Sequence, residues 1–342
     1  MSCCICKKDN INKSFTLYDD RYAYPGLFKL MDCQNCGHKF LVGIELSSEV
    51  LTDLYTNYYP RSELNLENYK QIQEKKGLLS WLDGEKSSVF RWVPKKVRIL
   101  DIGCGFGQSL GYHESRGCEV YGVEADENIR RVADKFGYNV HVGLFDSNVY
   151  DEKFFDYVSM DQVLEHVVDP IDVLKGIAKI LKDDGKLIVS VPNASGWGAK
   201  VFGRKWINWH TPYHLHFYSE KSIQIAAKEA GLEVVEAKTV TPSAWLHYQW
   251  LHLLTYPKSG EPSSFWAGST CGNPSALSFQ KRILSLFLSA FYKLKVNHLI
   301  TRFLLLLLVF CFLAILESRK KTVKQRKLMF NGNNFELGVS VK

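Results

Sequence analysis

Between residues 97 and 191 short apolar runs alternate with stretches whose apolar positions recur every three or four residues. Runs of the first kind read as strands and stretches of the second kind as amphipathic helices. The pattern predicts strands over Val97–Ile102, Glu119–Glu124, Asn139–Val142, Phe155–Met160 and Lys186–Val191. It places helices over Ile129–Phe136 and Pro170–Leu181, the latter closed by Asp183-Asp184-Gly185. Leu232–Ala237 reads as a sixth strand and Phe335–Val341 alternates as a last one. Several strands are apolar almost throughout, as strands covered on both faces must be. The expected fold class is therefore α/β, a doubly wound and mostly parallel sheet with helices on both faces.

Outside that rhythm the texture changes. Residues 1–45 are short apolar runs broken by Cys, Asp, Asn and Gly, which suits a small loop-rich module. Residues 46–91 read as a helical linker, with Val50, Leu51, Leu54 and Tyr55 at helical spacing and Pro60 as a break. The α/β core is assigned to 92–238, and its last strand to 335–342. The 96 residues between, 239–334, are an apolar and basic insert. They hold twelve Lys/Arg against Glu261 and Glu317, a net of +10, while the whole chain carries 43 minus 36, or +7. Everything else therefore sums to −3, so the positive charge belongs to one segment, which favours a membrane surface or anionic substrate.

The first strand runs into Asp101-Ile102-Gly103-Cys104-Gly105-Phe106-Gly107. Glycines in a strand-to-helix turn let the backbone lie against a ligand, and the following helix offers free N–H groups. The dinucleotide pattern G-x-G-x-x-G is not met, because Gln108 stands at its last position; the spacing is D-x-G-x-G-x-G. The second strand ends in Glu124, a carboxylate suited to accepting two ribose hydroxyls. Together with Asp161-Gln162-Val163-Leu164-Glu165-His166 after the fourth strand and Val191-Pro192-Asn193 after the fifth, these residues resemble the class I S-adenosylmethionine-dependent methyltransferases. The resemblance covers roughly Trp92–Ala237. It implies a seven-stranded Rossmann-like sheet whose last two strands are an antiparallel hairpin, and S-adenosylmethionine as cofactor. It further implies cofactor-binding roles for Asp101, Gly103, Gly105, Gly107, Glu124, Ala125, Phe145, Asp146 and Asp161.

Methyl transfer asks for alignment of the acceptor and, for a hydroxyl, removal of a proton. His166, His210, His214 and His216 are the candidate bases, with His214 first because related methyltransferases carry a similar P-x-H-L-x-x-F run. Cys3-x-x-Cys6 and Cys33-x-x-Cys36 are two knuckles whose thiolates suit one closed, tetrahedral structural zinc. The module resembles a zinc ribbon, with Cys4 and His38 as less well spaced substitutes. The opening residues lack an apolar leader, so the expectation is a reducing compartment, the cytoplasm or its membrane face.

The insert begins with aromatic Trp245–Leu251 and continues through Ile283, Leu284, Phe287, Leu288, Phe291 and Leu294 along one helical face. Phe303–Leu316 is then apolar throughout, ahead of six basic residues from Arg319 to Lys327. Fourteen helical residues span about 21 Å, short of a hydrocarbon core of roughly 30 Å. Monotopic insertion at the inner face of the cell membrane is expected, since the last strand must return to the sheet. The acceptor expected from these features is a saccharide or lipid-linked cell-envelope hydroxyl. Alternatives are a lipid or quinone-like molecule, a nucleotide sugar, or RNA bound by the ribbon. Nucleic acid is disfavoured because residues 1–45 carry six basic against five acidic residues.

Overall fold

The computed structural model describes residues 1–44, 89–241, 243–267 and 334–341, with isolated positions between 47 and 69. Three strands open it: β1 (Ile11–Leu17), β2 (Phe28–Cys33) and β3 (Lys39–Val42), each antiparallel to the next. The α/β part follows with β4 (Arg98–Ile102), α1 (Gln108–Glu114), β5 (Glu119–Glu124), α2 (Ile129–Phe136) and β6 (Asn139–Val142). It continues through β7 (Phe155–Asp161), α3 (Pro170–Ile180), β8 (Leu181–Pro192), α4 (Trp197–Phe202), β9 (His216–Phe217) and α5 (Glu220–Glu229). β10 (Leu232–Val240), α6 (Ser243–Leu254) and β11 (Asn334–Val341) complete the described elements.

The larger sheet runs β10-β11-β8-β7-β4-β5-β6. Its centre is five parallel strands, β8-β7-β4-β5-β6, and β11 lies antiparallel to both β8 and β10. The centre is buried on both faces: Ile99, Leu100, Val158, Met160, Leu187 and Val189 are all within 1% of full burial. Each such side chain contributes roughly 1.5–3 kcal/mol by leaving water. Helix ends follow local chemistry. Asp169 caps α3 by accepting from the N–H groups of Ile171 and Asp172, with Pro170 at the first helical position. Gly137, with φ +74°, stops α2 in the left-handed conformation that glycine adopts most cheaply.

Two features depart from the sequence reading. The cysteine-bearing strands do not stand apart: β9 adds to β3, pairing Phe217 with Lys39 and His216 with Phe40, and makes a four-stranded sheet β1-β2-β3-β9. Cys3, Ile5, Cys33 and Cys36 share one apolar cluster with the main sheet. The aromatic run that opens the insert is also core. In α6 Trp245, Leu246 and Trp250 pack with Trp197, Trp206 and Trp209, and Gln249 bonds the Ile207 N–H and the Lys205 carbonyl. Among the described residues no helix is long and apolar enough to cross a membrane. The stretches Ile283–Leu294, Phe303–Leu316 and Arg319–Lys327, like most of the linker, lie outside the described residues.

Candidate functional site

The loop after β4 is held from below and from the side. Asp101 is buried, and the hydroxyls of Ser109 and Ser159 both donate to its carboxylate, the latter at 2.7 Å. Burial raises its pKa, and the two hydroxyls oppose that rise. Its carboxylate is therefore engaged as a brace under the loop. Gly103, Gly105 and Gly107 have φ of +75°, +55° and +73°. A Cβ on Gly103 would stand 2.4 Å from Val163 Cγ2, whereas one on Gly105 would meet nothing within 4 Å. Glu124 turns toward the loop: Oε2 accepts from the Gly105 N–H at 2.8 Å and Oε1 from the Asp126 N–H at 3.0 Å. An open margin at Gly105, beside a strand-end carboxylate and a helix start, fits the amino-acid and ribose parts of S-adenosylmethionine.

Other residues of the expected cofactor set lie beyond this loop, at strand ends and in the turn after β6. Ala125 is exposed next to Glu124, and Asp161 is exposed at the end of β7. Phe145 packs inward, its ring 3.2 Å from where a Cβ on Gly176 of α3 would be. Asp146 caps the short turn Ser147–Val149 by accepting from the Asn148 N–H. No sequence pattern points to Tyr69, whose hydroxyl donates to the Phe106 carbonyl at 2.6 Å and so reaches the loop from the linker.

Val163, which covers Gly103, begins a turn closed by the His166 N–H donating to the Val163 carbonyl at 2.9 Å. That turn brings Glu165 and His166 above the glycine loop. There they meet the segment before β9. His166 and His214 have ring centres 4.6 Å apart and nearly perpendicular, and His210 lies 4.9 Å from His214 and 4.8 Å from the Tyr213 ring. His166 donates Nδ1–H to the Tyr213 carbonyl at 2.9 Å, and His214 donates Nδ1–H to that of Asn208 at 2.8 Å. A carbonyl only accepts, so both imidazoles keep a bare Nε2 lone pair. Glu165 is fully buried, with Oε1 4.0 Å from His214 Nε2. Burial pushes its pKa up to about 8 and pulls His166 down to about 4, with His210 and His214 held well below the usual imidazole range.

Three of the four candidate histidines thus converge, and His216 does not join them. It accepts at Nδ1 from His38 Nε2–H at 3.1 Å and donates from Nε2 to the Val168 carbonyl, beside Cys4. Two contributors escaped sequence reasoning. Glu165 adjoins a recognised histidine, and its lack of a partner is visible only in three dimensions. Residues 19–24 of the N-terminal module form a wall of the site. Asp19 accepts from the N–H groups of Arg21, Tyr22 and Tyr24, and Arg21 donates to the Ile207 carbonyl. Tyr22 meets His210 and Tyr213 edge-on at 6.0 and 5.5 Å.

The four knuckle cysteines come together away from this cluster. Cys3 and Cys36 sulfurs are 3.7 Å apart, those of Cys6 and Cys33 3.5 Å, and all four lie within 4.8 Å of one another. Four metal–sulfur bonds of about 2.3 Å in a tetrahedron hold sulfurs about 3.8 Å apart, far beyond a disulfide's roughly 2.05 Å. The donor set fits a closed zinc site. Ser219, which caps α5, donates to the Cys36 carbonyl at 2.6 Å and ties this cluster to the main sheet.

Comparison with known proteins identifies the family of the α/β part. The family model for a methyltransferase domain matches residues 66–237. The ubiquinone biosynthesis O-methyltransferase of Thiobacillus denitrificans is 30% identical over 169 residues, covering 44% of this chain and 73% of that protein. Its namesake in Xanthomonas axonopodis pv. citri is 28% identical over 168 residues, covering 45% and 70%. Among solved structures, a SAM-dependent methyltransferase from Archaeoglobus fulgidus has a TM-score of 0.42 at 15% identity, covering 76% of this chain and 94% of that one.

Proposed function

Because this chain belongs to the class I S-adenosylmethionine-dependent methyltransferases, we propose that it methylates a hydroxyl on an aromatic, quinone-like acceptor. The observation that carries the reading is the buried Glu165–His166–His214 cluster, walled by Tyr22, Tyr213 and His210, above the glycine loop. Relatives named as ubiquinone biosynthesis O-methyltransferases favour such an acceptor over the saccharide or envelope hydroxyl expected from the sequence.

When bound, S-adenosylmethionine supplies a methyl group made electrophilic by its sulfonium sulfur. The chain has to hold that cofactor, align the hydroxyl and dispose of a proton. Gly103, Gly105 and Gly107 would let the backbone approach the cofactor and Glu124 would accept from its ribose hydroxyls, while Asp101 braces the loop. Tyr22, His210 and Tyr213 offer ring edges and faces to a flat acceptor. Of the polar groups there, Glu165 has the proton affinity best matched to neutral pH, so the carboxylate rather than His214 takes the leading part.

Cys3, Cys6, Cys33 and Cys36 would hold a structural zinc that fixes β3 and, through it, β9 and the His210–His216 segment. Action at a membrane surface rests on the sequence of 303–327, apolar and then basic. The test is transfer of tritiated methyl from the cofactor by the purified full chain. A prenylated catechol in vesicles and a lipid-linked oligosaccharide are offered side by side. Label is expected as a methyl ether on the catechol; label confined to the oligosaccharide would overturn the acceptor assignment.

A further inference from the structure

We propose that His252 of α6 and Trp266 beyond it are positioning residues that hold Tyr22 against the acceptor and so set how tightly the acceptor binds. This rests on the reading of the Glu165, His166 and His214 cluster as the acceptor site.

Residues 252–267 grip the chain just before Tyr22. The Tyr18 hydroxyl donates to the Pro257 carbonyl at 2.8 Å, and the Ser263 N–H donates to the Arg21 carbonyl at 2.9 Å. The Arg21 guanidinium lies 4.2 Å over the Trp266 ring while it donates to the Ile207 carbonyl. His252 faces Asp20, with Nε2 3.4 Å from Oδ2. Tyr22 comes next, its N–H donating to Asp19 and its ring edge-on to His210 and Tyr213.

Trp266 also decides where the proton of His252 sits. An indole N–H only donates, and Trp266 Nε1 reaches His252 Nδ1 at 3.2 Å. Nδ1 is therefore the acceptor, and the proton is on Nε2, the nitrogen that faces the Asp20 carboxylate. Asp20 and His252 are both buried, and among the described residues Asp20 Oδ1 has no hydrogen-bond partner. Arg21, although adjacent in sequence, is turned to Ile207 and Trp266 instead. A buried carboxylate with no N–H facing it is costly. Loss of the imidazole would thus drive Asp20 toward water and carry Tyr22, two residues on, out of place.

The clasp reaches the acceptor side at two points. One is Tyr22, through the turn that Asp19 closes; the other is Ile207, three residues ahead of His210. The loop that fits the cofactor is held by other residues, with Asp101 beneath it and Glu124 on the Gly105 N–H. Acceptor and cofactor binding are thereby separable, and His252 and Trp266 bear on the first.

Methyl transfer to the prenylated catechol in vesicles would be followed with purified full-length protein over a range of acceptor concentrations. His252→Phe keeps a ring and removes both nitrogens. Its KM for the acceptor should rise at least ten-fold, with kcat within three-fold and calorimetric S-adenosylmethionine affinity within two-fold. His252→Gln can accept from Trp266 through Oε1 and donate to Asp20 through Nε2, and should return KM to within three-fold of the wild type. In a Tyr22→Leu background His252→Phe should add less than two-fold, because its effect passes through Tyr22. 3-Fluorotyrosine at position 22 reports without any acceptor: its fluorine resonance should move in His252→Phe and return in His252→Gln. Should His252→Phe not fold, Asp20→Leu removes the same tie from the other side and carries the same expectations. An unchanged KM in a folded variant, a full ten-fold effect in the Tyr22→Leu background, or a fluorine resonance that stays in place would overturn the proposal. Wild-type protein that binds the cofactor yet methylates no catechol would overturn the acceptor reading instead, and the fluorine measurement would still decide whether His252 positions Tyr22.

Discussion

Gly103→Ala and Gly105→Ala differ by one methyl group at equivalent left-handed positions, and the structure separates their consequences. Both residues have positive φ, so alanine costs roughly 1–2 kcal/mol at either. At Gly103 the new Cβ also falls 2.4 Å from Val163 Cγ2, closer than any real contact, and Val163 anchors the turn that carries Glu165 and His166. Forcing extra volume into packed surroundings adds about 1–3 kcal/mol, for a total of roughly 2–5 kcal/mol. In a domain of this size each kcal/mol lowers Tm by about 2–4 °C, so a fall on the order of 10 °C is expected. At Gly105 the methyl meets open space, and Tm should fall only by about 2–8 °C, from the backbone term alone. That space is where the cofactor fits, so Gly105→Ala should lose S-adenosylmethionine affinity at least ten-fold by calorimetry. Equal Tm losses, or an unchanged affinity in Gly105→Ala, would refute the assignment of packing to one glycine and ligand contact to the other.

Further outcomes are specific. Cys36→Ser should reduce zinc from one per chain toward zero in elemental analysis, and lower methyl transfer because β3 no longer fixes β9. Glu165 has a folded pKa near 8 against an ordinary value of about 4.3, so its contribution is fully present below about pH 4 and lost as pH rises to 8. Glu165→Gln should therefore gain a few kcal/mol on the wild type between pH 5 and pH 8 in denaturant midpoints, while wild-type activity rises over the upper part of that window. Replacing Leu305, Leu308 and Phe312 by Glu should move the protein from anionic vesicles to the supernatant in flotation, with cofactor affinity unchanged.

Much of the sheet was legible because each central strand is buried on both faces and so reads as an uninterrupted apolar run. Val97–Ile102 in the sequence became Arg98–Ile102 in space, and Asn139–Val142 kept its bounds. The glycine spacing was equally direct, since a tight turn leaves local marks. What escaped was whatever depends on distant partners. A strand of two residues, His216–Phe217, has no periodicity to detect, and its pairing with Lys39 and Phe40 spans about half the chain. That pairing is why His216, two residues from His214 in sequence, serves the cysteine side. Trp245–Leu251 has the composition of a membrane-interface belt, and only the facing Trp206 and Trp209 reveal it as core. Glu165 was visible as a letter; its missing donors were not.

The position of β11 bears on how the chain is made. This strand lies between β8 and β10, yet residues 241–333 separate it from the end of β10. At about 5–20 residues per second a ribosome needs roughly 5–20 s to bridge that gap. For those seconds the main-chain groups of β8 that will face β11 have no strand beside them, and β10 has no neighbour at all in the larger sheet. A nascent chain in that interval carries two open edges a strand's width apart, a slot that any extended segment of another chain can enter. Expression that slows translation across 241–333 should therefore raise aggregation, and a trigger-type chaperone or an early membrane contact should lower it.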